Sequence, residues 1–116
     1  MKYLFILNDP PYGTERSYNA LRLALSVRKQ DGVELRVFLM ADAVGCGKSG
    51  QQTPSGCYNL ERMLKGLTSR QVPIAACGTC IDARGIAEGE LLEGVHRSTI
   101  EELTEWTVWA DKVIVF

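Results

Sequence analysis

The chain has little charge bias and a single histidine. Thirteen lysines and arginines stand against fourteen aspartates and glutamates, for a net charge of −1. That balance argues against the basic footprint of a protein that binds nucleic acid or an anionic membrane surface. No apolar run approaches the roughly 20 residues that span a bilayer. The N-terminal run Tyr3–Leu7 has a lysine before it but stops at Asn8-Asp9-Pro10-Pro11 with no small-residue cleavage site. It therefore reads as a strand rather than a secretory signal, and a cytoplasmic location is expected. Repeats, linkers and low-complexity tracts are missing. At 116 residues one domain, 1–116, is expected, with a core that needs no staples. The four cysteines are then expected as free thiols.

Several near-motifs are also incomplete. Asp42-Ala43-Val44-Gly45-Cys46-Gly47-Lys48-Ser49 lacks only the first glycine of the phosphate-cradling G-x-x-x-x-G-K-[ST] loop. In its place stands Asp42, whose carboxylate repels phosphate. Gly50, Pro54 and Gly56 then forbid the helix that should follow. Cys77-Gly78-Thr79-Cys80 has no tryptophan before it, and no proline follows Pro73 to face it. Both absences separate it from a thioredoxin site, while dithiol–disulfide chemistry stays open. Cys46 and Cys57 do not make a second short knuckle, so no metal is expected. A Cys–His nucleophile pair would need His96, which reads as an ordinary surface residue.

What is present is an alternation of strand and helix. Tyr3–Leu7, Leu35–Met40, the run after Pro73 and Val113–Phe116 read as strands. Thr14 is placed to cap a helix running to about Gln30, with Tyr18, Leu21 and Leu25 on one face and Ala20, Leu23, Ala24 and Val27 widening it. A glycine-rich loop covers 45–56. Leu60, Met63, Leu64 and Leu67 mark a second helix, with Glu61 and Lys65 as an exposed i, i+4 pair. Only a short helix or turn fits the glycine-broken stretch 85–94. Ser98-Thr99-Ile100-Glu101 has the capping-box pattern and opens a last helix packed through Leu103, Trp106 and Ala110. Trp106 and Trp109 read as core or as an anchor for a partner subunit. Strands alternating with helices imply a parallel sheet in an α/β/α sandwich.

The chemistry centres on Cys77. A thiol at the carboxyl end of a buried strand stands where open α/β sheets place ligands. A helix starting just beyond it favours thiolate over thiol, and Arg84 is a second candidate source of stabilisation. Asn8, Tyr12 and Asp42 are candidate crevice-lining residues from their strand-end positions. Asp9, Asp42 and Asp82 could converge on one crevice, although acidic residues there are commonly turn-formers and caps.

Asn8-Asp9-Pro10-Pro11-Tyr12-Gly13, Val37 through Val44, Gly56-x-Tyr58-Asn59-Leu60, Cys77-x-x-Cys80-x-Asp82-x-Arg84-Gly85-Ile86 and Trp106-Thr107-x-x-Ala110-Asp111-Lys112-Val113 together cover the chain in order. In these segments the sequence resembles the DsrE/DsrF-like superfamily, in its YchN-like branch of small bacterial proteins. The resemblance implies a parallel sheet of about five strands in the order 4-3-2-1-5. It also implies a short fourth strand near Val95 and homo-oligomerisation, as a hexamer in the nearest relatives. Members that act in sulfur relay carry sulfur as a persulfide on a cysteine after the third strand, and Cys77 matches that position. Those members usually have small apolar residues where this chain has Cys80.

The expected function is transfer of sulfane sulfur on Cys77 from a donor protein to an acceptor thiol, with no cofactor. Cys80 would resolve the persulfide or help hold the sulfur. Two rivals stand beside it: a non-catalytic oligomeric binding or assembly protein, and a dithiol–disulfide oxidoreductase using Cys77 and Cys80.

Overall fold

The computed structural model describes residues 1–116. β1 (Lys2–Leu7) leads into α1 (Arg16–Val27), β2 (Glu34–Leu39) and a 3₁₀ turn (Ala41–Gly47). Next come α2 (Leu60–Thr68), β3 (Ile74–Cys77), α3 (Gly78–Ala83) and a second 3₁₀ turn (Glu88–Glu90). β4 (Val95–Ser98), α4 (Ile100–Trp109) and β5 (Lys112–Val115) complete the chain. The strands form one sheet in the order β4-β3-β2-β1-β5, with every pairing parallel. Architecture and strand order are those the resemblance implies. No helix is long and apolar enough to cross a membrane.

Successive strand side chains point to opposite faces, which sorts them between two cores. Phe5, Leu7, Val37, Leu39, Ile74 and Ala76 pack with Leu21 and Ala24 of α1 and Leu60, Leu64 and Leu67 of α2. Leu4, Phe38 and Ala75 face the other way, onto Leu103 and Trp106 of α4. Twenty buried residues make the first core and five the second. The sheet therefore has a deep side and a shallow one. On the shallow side Trp106 is core, while the half-buried Trp109 carries the Arg36 guanidinium 3.9 Å from its ring centroid.

Several local expectations are corrected. α1 stops at Val27 rather than near Gln30, with the Arg28 N–H closing onto the Ala24 carbonyl. Its N-cap position is Glu15, not Thr14. The Thr14 hydroxyl instead donates to Asp9 Oδ2 at 2.9 Å and accepts the Arg16 N–H at 3.4 Å. Leu23 does not widen the buried stripe: it is 42% exposed, because residues two apart on a helix face different ways.

The loop expected over 45–56 begins as an ordered turn that buries Ala43, Val44 and Cys46. Glu61 is not an exposed partner of Lys65. It is buried, with one carboxylate oxygen accepting the Gln51 N–H at 2.8 Å and the other meeting Lys65 at 3.2 Å. The last helix is capped by Thr99, whose hydroxyl accepts the Glu102 N–H. Ser98 ends β4 instead.

Candidate functional site

Ile74, Ala75 and Ala76 are fully buried, and α3 begins one residue after Cys77. The Cys77 thiol is thus held at the carboxyl edge of the sheet, at a strand–helix junction. Gly78 follows in a tight place. A Cβ there would sit 3.0 Å from both the Arg97 guanidinium and the Ser98 carbonyl, so these neighbours would have to give by a few tenths of an ångström. The β3–β4 register pairs Cys77 with Ser98, so β4 walls the site on one side.

One turn of α3 folds the second thiol back on the first. Cys80 Sγ donates to Cys77 Sγ at 2.8 Å, and Cys77 Sγ lies 3.3 Å from Thr79 Oγ1. The Ala41 N–H donates to Cys80 Sγ at 3.3 Å. Burial acts to raise the Cys77 thiol, but the Cys80 thiol, the Thr79 hydroxyl and the N–H groups of Cys80 and Thr79 outweigh it. The thiol comes to rest below its ordinary value. Cys80 moves the other way: burial raises it, and donating its proton to Cys77 raises it further, against the Ala41 N–H and the Arg84 charge. Of the two sulfurs, Cys77 is the one whose thiolate is favoured and Cys80 the one whose thiol is.

A cleft of about 490 Å³ opens beside the pair. Phe38, Met40 and Ile100 supply its apolar wall; Thr79, Arg97, Ser98 and Glu101 supply its polar rim. Such a mixture suits a ligand site. Arg97 is the functional candidate that sequence reading missed. Its guanidinium makes two 2.7 Å bonds to Asp82 and lies close enough to Cys77 for their charges to attract. Only the β3–β4 register could have found it, since Val95-His96-Arg97-Ser98 carries no pattern that marks one residue as inward.

The other sequence-predicted residues divide. Asp42 and Arg84 are brought to the pair. Arg84 Nε and Nη2 lie 2.9 and 2.8 Å from Asp42 Oδ1, and Nη1 donates to the Cys80 carbonyl at 3.1 Å. Arg84 therefore stands beside Cys80 rather than Cys77. Asn8 and Tyr12 do not line the cleft. The Asn8 amide donates to the Phe116 carbonyl at 3.1 Å and ties down the end of the chain. The Tyr12 hydroxyl donates to Gln51 Oε1 at 2.6 Å and accepts the Leu60 N–H at 3.2 Å, clasping the loop to α2.

Each of the three aspartates is tied to its own partner: Asp9 to Thr14, Asp42 to Arg84 and Asp82 to Arg97. All four cysteines are free; Cys46 is buried in the deep core and Cys57 is exposed. His96 meets the Glu102 carboxylate, which also accepts the Ser98 hydroxyl. Burial raises Glu102, but those two partners outweigh it and hold the carboxyl below its usual range. No three His, Cys, Asp or Glu side chains are grouped to hold a metal.

Fold and site together define a class: a small parallel α/β protein with an activated thiol at the carboxyl edge of its third strand. The family model of the DsrE/DsrF-like family matches residues 1–116. Protein YchN of Escherichia coli (strain K12) is 46% identical over 116 residues, covering 99% of this chain and 98% of YchN. The crystal structure of the E. coli YchN protein gives a TM-score of 0.93 over 99% of this chain and 98% of that one. Sulfurtransferase TusD of Buchnera aphidicola subsp. Acyrthosiphon pisum is 31% identical over 94 residues, 79% of this chain and 73% of TusD. This chain belongs to the DsrE/DsrF-like family.

Proposed function

We propose that the protein accepts sulfane sulfur as a persulfide on Cys77 and hands it to an acceptor thiol. The observation that carries this reading is the half-buried Cys77 sulfur at the mouth of a cleft, with the Cys80 thiol donating to it at 2.8 Å and the Thr79 hydroxyl 3.3 Å away. Its thiolate attacks the outer sulfur of a donor persulfide. The donor's S–S bond breaks, the donor leaves as a thiolate, and Cys77 becomes Cys77–S–SH. In the second transfer an acceptor thiolate attacks that outer sulfur and Cys77 leaves as a thiolate. No net oxidation occurs and no cofactor is required. The likeness to TusD, named a sulfurtransferase, supports this class of chemistry.

The test is intact-protein mass spectrometry of the reduced protein before and after a sulfane-sulfur donor. A gain of about 32 Da, lost in Cys77→Ser and kept in Cys80→Ser, is expected from the exchange chemistry. No gain in any form, with thiols intact, overturns the carrier reading.

The 2.8 Å sulfur–sulfur contact favours a second reading, a dithiol–disulfide couple. With a disulfide co-substrate, Cys77 attacks, one thiolate leaves, and Cys80 then displaces the other. That reading requires a loss of two hydrogens in wild type alone.

Self-association, as a hexamer, belongs to the same proposal, with donor and acceptor proteins as further partners. Val108, Val115 and Ile100 are 82%, 62% and 62% exposed on α4 and β5 in the isolated chain, apolar surface that other copies would cover. Light scattering that returns a monomer mass would remove it.

A further inference from the structure

Two thiols 2.8 Å apart pose a problem for any persulfide on the first. Cys80, as a thiolate, could attack the inner sulfur of Cys77–S–SH, form the Cys77–Cys80 disulfide and expel hydrosulfide, losing the cargo. The surroundings of Cys80 fix where its sulfur and its S–H point. Its sulfur accepts an N–H from Ala41, a residue held at φ 49°. That is left-handed backbone, which a non-glycine residue adopts at a cost and which persists only where its surroundings enforce it. Asp42 is the next residue. It receives two bonds from Arg84, whose third nitrogen grips the Cys80 carbonyl. The turn Ala41–Gly47 and α3 are thereby latched together from both ends of the Cys80 residue, carbonyl and sulfur.

We propose that the Asp42–Arg84 ion pair and the Ala41 N–H form a positioning device for Cys80, aiming its S–H at Cys77 so that it serves as hydrogen-bond donor and not as resolving thiol. Cys77 is then stabilised as the attacking thiolate in the first transfer and as the leaving thiolate in the second, and a lower-pKa thiol leaves faster. Cys80, its S–H aimed at Cys77, is placed as a donor and not as the thiolate that would displace the cargo. The near-match to a phosphate loop thus has a different use here: its first residue, Asp42, anchors Arg84, and the residue before it holds a sulfur. This inference rests on Cys77 being the sulfur-accepting thiolate. Asp42 and Arg84 touch no reacting atom and act through Cys80.

The charged groups around the pair are Asp82 on α3, Arg84 just past its end, Arg97 on β4, Asp42 on the 3₁₀ turn and Glu101 at the start of α4. They allow a test in which positioning and simple charge have opposite signs. Asp42→Ala removes a negative charge near the thiols, so a pure field effect makes Cys77 more reactive at lower pH. Loss of positioning makes it less so.

Peptide-resolved iodoacetamide labelling of Cys77 across pH would be followed in wild type, Asp42→Ala, Arg84→Gln, Arg84→Lys, Cys80→Ala and the Asp42→Ala/Cys80→Ala double variant. Thermal unfolding would check that each is folded. The expected result is that Asp42→Ala and Arg84→Gln move the labelling profile to higher pH, with a roughly three- to tenfold slower rate at pH 7, the size of one lost charge-assisted hydrogen bond. Arg84→Lys restores part of the rate, and Asp42→Ala adds nothing once Cys80 is gone, as a shared path requires.

A profile that stays put or moves to lower pH in Asp42→Ala overturns the inference, as does full additivity in the double variant. If Asp42→Ala does not fold, Asp42→Asn, which removes the same negative charge at nearly the same volume, decides the same question. Labelling needs no sulfur donor, so a protein that takes up no sulfane sulfur defeats the carrier reading while leaving this result readable.

Discussion

Cys46 and Cys77 are the same residue in two settings, and their contrast isolates what activates a thiol in this fold. Cys46 has no exposure and lies in the deep core. Burial pushes its thiol up to about 12. Ser17 beside it lowers it only partly, because the one hydroxyl proton of Ser17 goes to the Asp9 carbonyl at 2.7 Å. Burial also penalises the Cys77 thiolate, yet four donors converge on that sulfur and the balance reverses. Donors, rather than exposure alone, separate an inert cysteine from a reactive one here.

The widest gap expected between the two is in reactivity. With its thiol near 12, Cys46 is about 10⁻⁵ thiolate at pH 7, so Cys77 should be alkylated about 10³-fold faster or more in the folded protein. A lowered thiol keeps its thiolate to lower pH. The Cys77 rate should therefore fall only below the pH at which an ordinary cysteine loses reactivity, as a pH series of labelling would read. Comparable rates for the two cysteines would break the contrast.

Removing a donor sharpens it. Thr79→Val deletes one hydroxyl and should slow Cys77 labelling at pH 7 by roughly three- to fivefold, with the Cys46 rate unchanged.

Stability should respond in the opposite order. Cys46→Ser puts a hydroxyl into an apolar core and is expected to cost about 1–3 kcal/mol in denaturant unfolding. Cys77→Ser at the sheet edge should stay within about 0.5–1 kcal/mol of wild type. Gly78→Ala should cost about as much as Cys46→Ser, at about 1–3 kcal/mol, because its Cβ meets the Arg97 guanidinium and the Ser98 carbonyl at 3.0 Å.

The smallest effect expected is on acid stability. Glu102 and Glu61 are both held below the usual carboxylate range. A depressed carboxyl contributes stability that is present above its unfolded value and lost as pH falls through its folded value. Glu102→Gln should therefore flatten the acid limb of the stability curve and leave the neutral region nearly unchanged. An unaltered limb would mean that the Ser98 and His96 contacts do not outlast solvent screening.

The thiol's place is legible in the residues around it. Val72-Pro73-Ile74-Ala75-Ala76 marks a strand, and Gly78 followed by polar residues marks a turn into helix, so Cys77 has to lie at a strand's carboxyl end. Arg97 is not legible that way. Its approach to Cys77 depends on β4 pairing with β3 across a long connection, and neither the pairing nor the register leaves a local trace. Glu61 misleads for a related reason. Its i, i+4 spacing with Lys65 is the pattern of a solvated helix face, and only the loop residue Gln51 folding over it turns that face inward.

By itself, then, the sequence determined the alternation of strands and helices, the two-sided burial of the sheet and the junction that presents Cys77, because periodicity and turn chemistry act over a few residues. The tertiary structure decided what surrounds the two thiols. The Ala41 N–H on the Cys80 sulfur, the Asp42–Arg84 latch on the Cys80 carbonyl and the Arg97 cation near Cys77 come from other parts of the chain, and their hydrogen bonds and charges act only at contact distance.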